Sequence, residues 1–167
     1  MANSLSFEME KDLLIKGWMS HDARWFTAVR EHFGIEAANR LNQAVCRELG
    51  RVEMKRYMKT LTLSPAKDLE GYLTLMEAAF FLYGSGLAEY EIKTLNDQSY
   101  EMHLKRCFAY ENIVKAGIED QYECGILARI QGWIDAQGLG HELTPPLGKC
   151  MKVLGKECYY TITFRFS

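Results

Sequence analysis

Four of the five cysteines, Cys107, Cys124, Cys150 and Cys158, follow one another in the C-terminal part of the chain. Thiolates bind zinc or iron–sulfur clusters when four ligands surround one centre. The chain has no C-x2-C pair of the kind that marks zinc knuckles and redox dithiols. A tight hairpin around Gly155 would also keep Cys150 and Cys158 apart. We therefore expect no metal cofactor, and these four cysteines are the candidate ligands if zinc or iron is bound.

Cys124 is the candidate nucleophile, because it precedes Gly125 at the predicted start of a helix. Unpaired backbone N–H groups and the helix dipole lower a thiol pKa there and can form an oxyanion hole. A catalytic thiol also needs a base, and all four histidines are distant in sequence. The alternative is a buried thiol that packs the helix against a sheet.

His21 and Asp22 are the candidate acid and base. A carboxylate on an apolar helix face costs free energy unless it is paired, so Asp22 has either a partner or a function. Alternatively, the helix breaks near Ser20, which caps a second helix and leaves Asp22 in its first turn. The helical stripe that Asp22 interrupts consists of Leu14, Trp18, Trp25, Val29 and Phe33.

Helices are the elements that position His21 and Asp22, because the first half of the chain shows helical periodicity. It predicts helices over residues 7–33, 36–61 and 67–83, and then over 109–117 and 123–137. Alternation of apolar and polar residues predicts a hairpin over 89–105 and two further strands around 154–157. In the last strand Cys158 shares a face with the aromatic core residues and should point inward.

The fold class predicted by this order of elements is α+β. An N-terminal helical layer packs on a four-stranded antiparallel sheet of two hairpins, with a helical pair inserted between them. At 167 residues the chain fits a single domain, residues 1–167. Its helical part, 1–86, and its mixed part, 87–167, are not expected to be independent.

Composition gives no support to several classes of function. Lys and Arg number 20 against 22 Asp and Glu, so no basic excess supports a nucleic-acid partner. The N-terminal residues do not form a signal peptide, and no stretch approaches the roughly 18 apolar residues that span a bilayer. We expect a cytoplasmic protein with no membrane partner, in which the cysteines are reduced.

Two segments resemble the family of the L-2-amino-thiazoline-4-carboxylic acid hydrolases. The first is His21-Asp22-Ala23-Arg24-Trp25-Phe26, and the second is the order of single positions from Arg106-Cys107 to Cys158-Tyr159. The resemblance implies hydrolysis of a C–N bond in a small carboxylate, with His21, Asp22 and Cys124 at the reaction centre. Arg106, Trp25 and Trp133 are then the candidate substrate-binding residues, since arginine binds carboxylates in a bidentate manner.

The order Cys150, Gly155, Cys158 before an aromatic strand is similar to that of the 4-vinyl reductase and TRAPP-type ligand-binding domains. This second resemblance implies a non-catalytic domain that binds or senses a small molecule or a metal. Such domains are often dimeric, so a homodimer is one expected assembly. The sequence therefore leaves two functions open, a small-molecule hydrolase and a ligand-binding domain.

Overall fold

The computed structural model describes residues 5–84 and 86–166. The chain divides into two compact units, Met1–Leu41 and Asn42–Ser167. Ser85, at the predicted boundary between the helical and mixed parts, lies outside the described residues. Within the described ranges, no helix is both long and apolar enough to cross a membrane.

Three helices come first: α1 (Phe7–Phe33), α2 (Ile35–Leu61) and α3 (Leu69–Gly84). The side chain of Ser6 accepts a hydrogen bond from the Met9 N–H and caps the start of α1. Gly34, with a positive φ of 83°, ends it. The alternative of a helix break at Ser20 is wrong, because α1 runs without interruption through that position.

The second half forms the sheet and two further helices. Strands β1 (Ala88–Asn96) and β2 (Ser99–Cys107) make the first hairpin. They are followed by α4 (Phe108–Lys115), a short 3-10 turn and α5 (Ile126–Asp135). Strands β3 (Gly140–Thr144) and β4 (Tyr159–Arg165) complete one antiparallel sheet in the order β1-β2-β4-β3. The predicted α+β class, with helices before a four-stranded sheet, is confirmed.

One face of this sheet carries the core of the second unit. Side chains from β2 and β4 alternate between the buried face and the polar face, as the period of two requires. Tyr72 of α3 packs on Phe164 of β4 with ring centroids 4.5 Å apart, and Phe80 meets Trp133 edge to face at 5.1 Å. The buried apolar residues of the sheet are Tyr100, Met102, Leu104, Tyr160, Ile162 and Phe164.

The strand predicted just before Gly155 is wrong. Strand β3 lies instead at 140–144, directly after α5, and residues 145–158 form a wide loop. Within that loop the backbone turns back on itself, because the N–H of Val153 donates to the carbonyl of Cys150 at 3.2 Å and a further turn follows at Gly155. The inward orientation of Cys158 is confirmed, since its side chain is buried in the core.

Candidate functional site

An apolar recess lies in the second unit, where the start of β1, the end of β2 and the first turn of α4 meet α3 and α5. Its volume is about 30 Å³. Aromatic and aliphatic side chains form most of its wall, with one thiol and one arginine among them. The lining residues are Phe80, Leu87, Ala88, Cys107, Phe108, Ile126, Arg129, Ile130 and Trp133.

Cys107 is the thiol on this wall. It ends β2 and directly precedes α4 with an extended backbone, so its side chain sits at the helix N-terminus. Burial raises the pKa of the Cys107 thiol, while the backbone amides of Tyr110 and Ala109 act in the opposite direction. Burial has the larger effect, so the thiol is protonated at neutral pH. By alternation along β2, Cys107 would share the polar face with His103, but it lies at the end of the strand.

Cys124, the predicted nucleophile, precedes the N-cap Gly125 of α5 as expected. Burial raises the pKa of the Cys124 thiol to about 12, although the backbone amide of Leu127 opposes this shift. The helix start therefore supplies the expected amide, and its effect is smaller than that of burial. The catalytic role of Cys124 stays a prediction.

The four C-terminal cysteines lie within electrostatic range of one another. Negative charge on Cys107, Cys150 or Cys158 would raise the pKa of Cys124, and charge on Cys107 or Cys150 would raise that of Cys158, which burial brings to about 12. The fold thus brings these thiols together. In the part of the chain that the structure describes, no group of three or more His, Cys, Asp or Glu side chains is arranged to hold a metal ion. Zinc or iron binding stays a prediction.

Arg106, the candidate carboxylate anchor, and Arg129, on the wall of the recess, both hold carboxylates of the chain itself. Arg106 donates from Nε to Oε1 of Glu111 at 2.8 Å, and from Nη1 to the Gly86 carbonyl at 3.1 Å. Arg129 donates to both carboxylate oxygens of Glu53, which lies in α2 and is buried. A substrate carboxylate would have to displace these partners. The role of Arg106 as a carboxylate anchor remains a prediction.

Trp133, predicted to bind substrate, lies on the wall of the recess and donates from Nε1 to Oε2 of Glu53 at 3.0 Å. The other predicted residues, His21, Asp22 and Trp25, belong to α1 in the first unit, and all three are exposed. Asp22 is therefore not the buried carboxylate that its place in the apolar stripe suggested. The acid or base role of His21 and Asp22 stays a prediction.

Two further histidines, His103 and His141, lie on the sheet and make contacts there, whereas His32 lies in the last turn of α1. His103 of β2 contacts Glu157 at 2.8 Å and stacks on the ring of Tyr159. His141 of β3 lies 3.4 Å from the Gln131 amide, and burial lowers its pKa. The sheet register pairs His103 with Tyr159, whereas Gln131 lies in α5 and Glu157 lies in the loop before β4.

Several wall residues gave no signal in the sequence. Ala88, Ile126 and Ile130 follow ordinary strand and helix patterns, so nothing in their type marks a cavity. The sequence does carry a signal for the close packing of α2 on α5. Gly50 and Gly132 both lie inside helices, where a glycine usually has a packing or functional reason. A Cβ at Gly132 would overlap the carbonyl of Arg47, so only glycine allows this approach.

The architecture places the chain in a known class of α+β fold. It is similar to the crystal structure of a trafficking protein particle complex subunit 3 from Naegleria fowleri covalently bound to palmitic acid, with a TM-score of 0.62. The match covers 95% of this chain and 96% of that one, at 13% sequence identity, and so it is a likeness of fold. The TRAPP-type resemblance is confirmed at that level.

The chain belongs to the family of unknown function DUF6125, whose sequence pattern matches residues 5–160. Among curated proteins, none matches the chain significantly in sequence. Neither finding shows the aminothiazoline-carboxylate hydrolase family.

Proposed function

We propose that the chain is a binding domain for an apolar small molecule of the long-chain acyl class, held in the recess beside Cys107. The observation that carries the proposal is the composition of the wall, where aromatic and aliphatic side chains surround a single thiol and a single arginine. Pockets for small molecules are typically apolar with few polar groups. A protein of similar fold is covalently bound to palmitic acid, which supports the same class of ligand.

The recess must widen when the ligand binds. Its volume of about 30 Å³ is well below the roughly 300 Å³ at which small-molecule pockets begin. The surrounding core is suited to such a change, because methionine side chains are flexible and repack readily. Four methionines belong to this core, namely Met54, Met58, Met76 and Met102.

Binding is proposed to be reversible. A thioester requires a thiolate nucleophile, and burial raises the pKa of the Cys107 thiol. A protonated thiol on an apolar wall behaves as a small apolar group and packs against an acyl chain. The proposal includes the cytoplasmic location expected from the sequence, where such thiols stay reduced.

The two functions predicted from the sequence fare differently. Non-catalytic binding of a small ligand agrees with the apolar recess. Metal sensing by the four C-terminal cysteines stays a prediction, and the recess does not bear on it. Hydrolysis of a small carboxylate rests on the sequence resemblance alone, since the comparisons do not show that family.

The proposal is tested by titrating the protein with cis-parinaric acid, a fluorescent long-chain fatty acid. Trp133 lies on the wall, so excitation of tryptophan should transfer energy to the bound probe. We expect saturable binding of one probe per chain, with most of the transfer lost in Trp133→Phe. Absence of saturable binding to the unmodified protein would refute the proposal.

A pair of matched variants locates the binding site. Ala88→Leu adds three carbons inside the recess and should weaken probe binding by about tenfold or more. Ala116→Leu makes the same change at an exposed position after α4 and should bind as the unmodified protein does. Equal weakening in both variants, or in neither, would place the ligand elsewhere.

A further inference from the structure

Helix α1 carries a row of apolar side chains that keep part of their surface exposed. Phe26 and Val29 are buried. A second set remains exposed, and at about 100° per residue its members fall within a band about 40° wide along the helix. Contiguous exposed apolar surface of this kind marks an interaction site. The members of this band are Phe7 at 74%, Leu14 at 75%, Trp18 at 37% and Trp25 at 38%, whereas Met9, Leu13 and Phe33 of α1 are exposed outside it.

The spacing within this exposed stripe is that of a helix-pairing seam. Its members lie seven, four and seven residues apart. They therefore fit a row of positions spaced alternately by four and three residues, namely 7, 11, 14, 18, 21 and 25. Lys11 and His21 occupy the two omitted positions. A repeat of 3.5 residues keeps one side of a helix facing a partner helix. The occupant that best fits the stripe is therefore another helix.

Gly17 gives an independent indication of close approach at the middle of α1. Glycine is among the poorest helix formers, so an interior glycine calls for a reason. A Cβ at Gly17 would have nothing within 4 Å, and the chain itself therefore has no steric need for glycine there. Gly17 borders the stripe next to Trp18. A second helix crossing at this point would use the space that the missing side chain leaves.

Charge along the same flank selects the partner and its direction. Glu10, Gly17 and Arg24 follow one another at intervals of seven, so they lie in one row beside the stripe. A two-fold axis at Gly17 that relates antiparallel helices sets Glu10 of each copy beside Arg24 of the other. A parallel pair would set like charges together. Two-fold interfaces are self-complementary in this way.

We propose that α1 pairs with α1 of a second copy of this chain, antiparallel and crossing at Gly17. The four stripe residues present roughly 400 Å² of apolar surface, taking about 200 Å² for a large side chain. A standard interface buries about 800 Å² per partner, so the stripe and its flanks together provide an area of the right order.

Charge reversal tests both the partner and its direction. The mass in solution is measured by sedimentation equilibrium on the full chain between about 1 and 100 µM. Glu10→Arg and Arg24→Glu should each weaken the dimer by about tenfold, and the double variant should recover most of the affinity. A chain that is monomeric throughout this range overturns the proposal, as do single reversals without effect.

Disulfide trapping provides a second readout that does not depend on affinity. Gly17→Cys places two thiols next to the axis, and mild oxidation should join two chains. Lys16→Cys lies on the opposite side of α1 and should not cross-link. Equal cross-linking of the two variants would contradict the crossing point.

Discussion

The guanidinium of Arg129 in α5 donates to both carboxylate oxygens of Glu53 in α2, and both side chains are buried. Trp133, one turn further along α5, donates to the same carboxylate. Arg129 and Trp133 also line the recess. One wall of the proposed binding site is therefore fixed by an ion pair between two helices, and Glu53 acts on the site without lining it.

Removing the charge of Glu53 should destabilise the protein. Glu53→Gln leaves the buried guanidinium of Arg129 without its counter-charge, and breaking a buried pair costs about 3–5 kcal/mol. The free energy of unfolding in urea measures this change. The double variant Glu53→Leu with Arg129→Met removes both charges and should recover most of the loss. A double variant as unstable as the single one would contradict this explanation.

The close contact of α2 with α5 makes a second prediction. Gly132→Ala places a Cβ against the Arg47 carbonyl and should lower the free energy of unfolding by about 1–3 kcal/mol or more. Gly148→Ala is the control, because a Cβ there meets nothing within 4 Å. The two variants are compared by urea denaturation. Equal stability of both would show that the helices can move apart without cost.

Periodicity was sufficient for the helices and for the first hairpin. Alternation predicted that hairpin because a strand with one polar face leaves a clear pattern, and Tyr100 and Met102 are buried on its other face. The second hairpin could not be placed, since the 145–158 loop carries apolar residues such as Val153 without forming a strand. The stripe of α1 was recognised as apolar, but sequence pattern does not tell whether an apolar face is covered or exposed.

Stability should fall at alkaline pH. Burial raises the pKa of Cys124 and of Cys158 to about 12, whereas a thiol in the unfolded chain titrates near 8.5. Below that value the thiols are protonated in both states and stability is constant. Above it, only the unfolded chain releases protons, so stability declines as pH approaches 12.

Urea denaturation between pH 7 and 10.5 measures this dependence. We expect a constant free energy of unfolding near pH 7 to 8 and a decline from about pH 9. The variant with Cys124→Ala and Cys158→Ala should show a shallower decline, whatever its absolute stability. An unchanged slope in that variant would assign the decline to other groups, and buried tyrosines such as Tyr72 are the ones whose raised pKa permits it.

The candidate site was only partly predictable, for a physical reason. Residue type pointed to cysteines and to Trp133, and the fold does bring four thiols together. Residue type did not distinguish Cys107, on the wall of a recess, from Cys124. That difference depends on how the strand end meets α5. Glu53 gave no signal either, since its partner Arg129 is 76 residues away in sequence.

Protection of Cys107 by a fatty acid tests the central claim most directly. The protein is treated with N-ethylmaleimide with and without saturating palmitate, and alkylation of each cysteine is followed by peptide mass spectrometry. Cys46 of α2 lies outside the lining residues and provides the internal reference. The account predicts that palmitate slows alkylation of Cys107 by about tenfold and leaves Cys46 unchanged. Alkylation of Cys107 at the same rate in the presence of bound palmitate would contradict it.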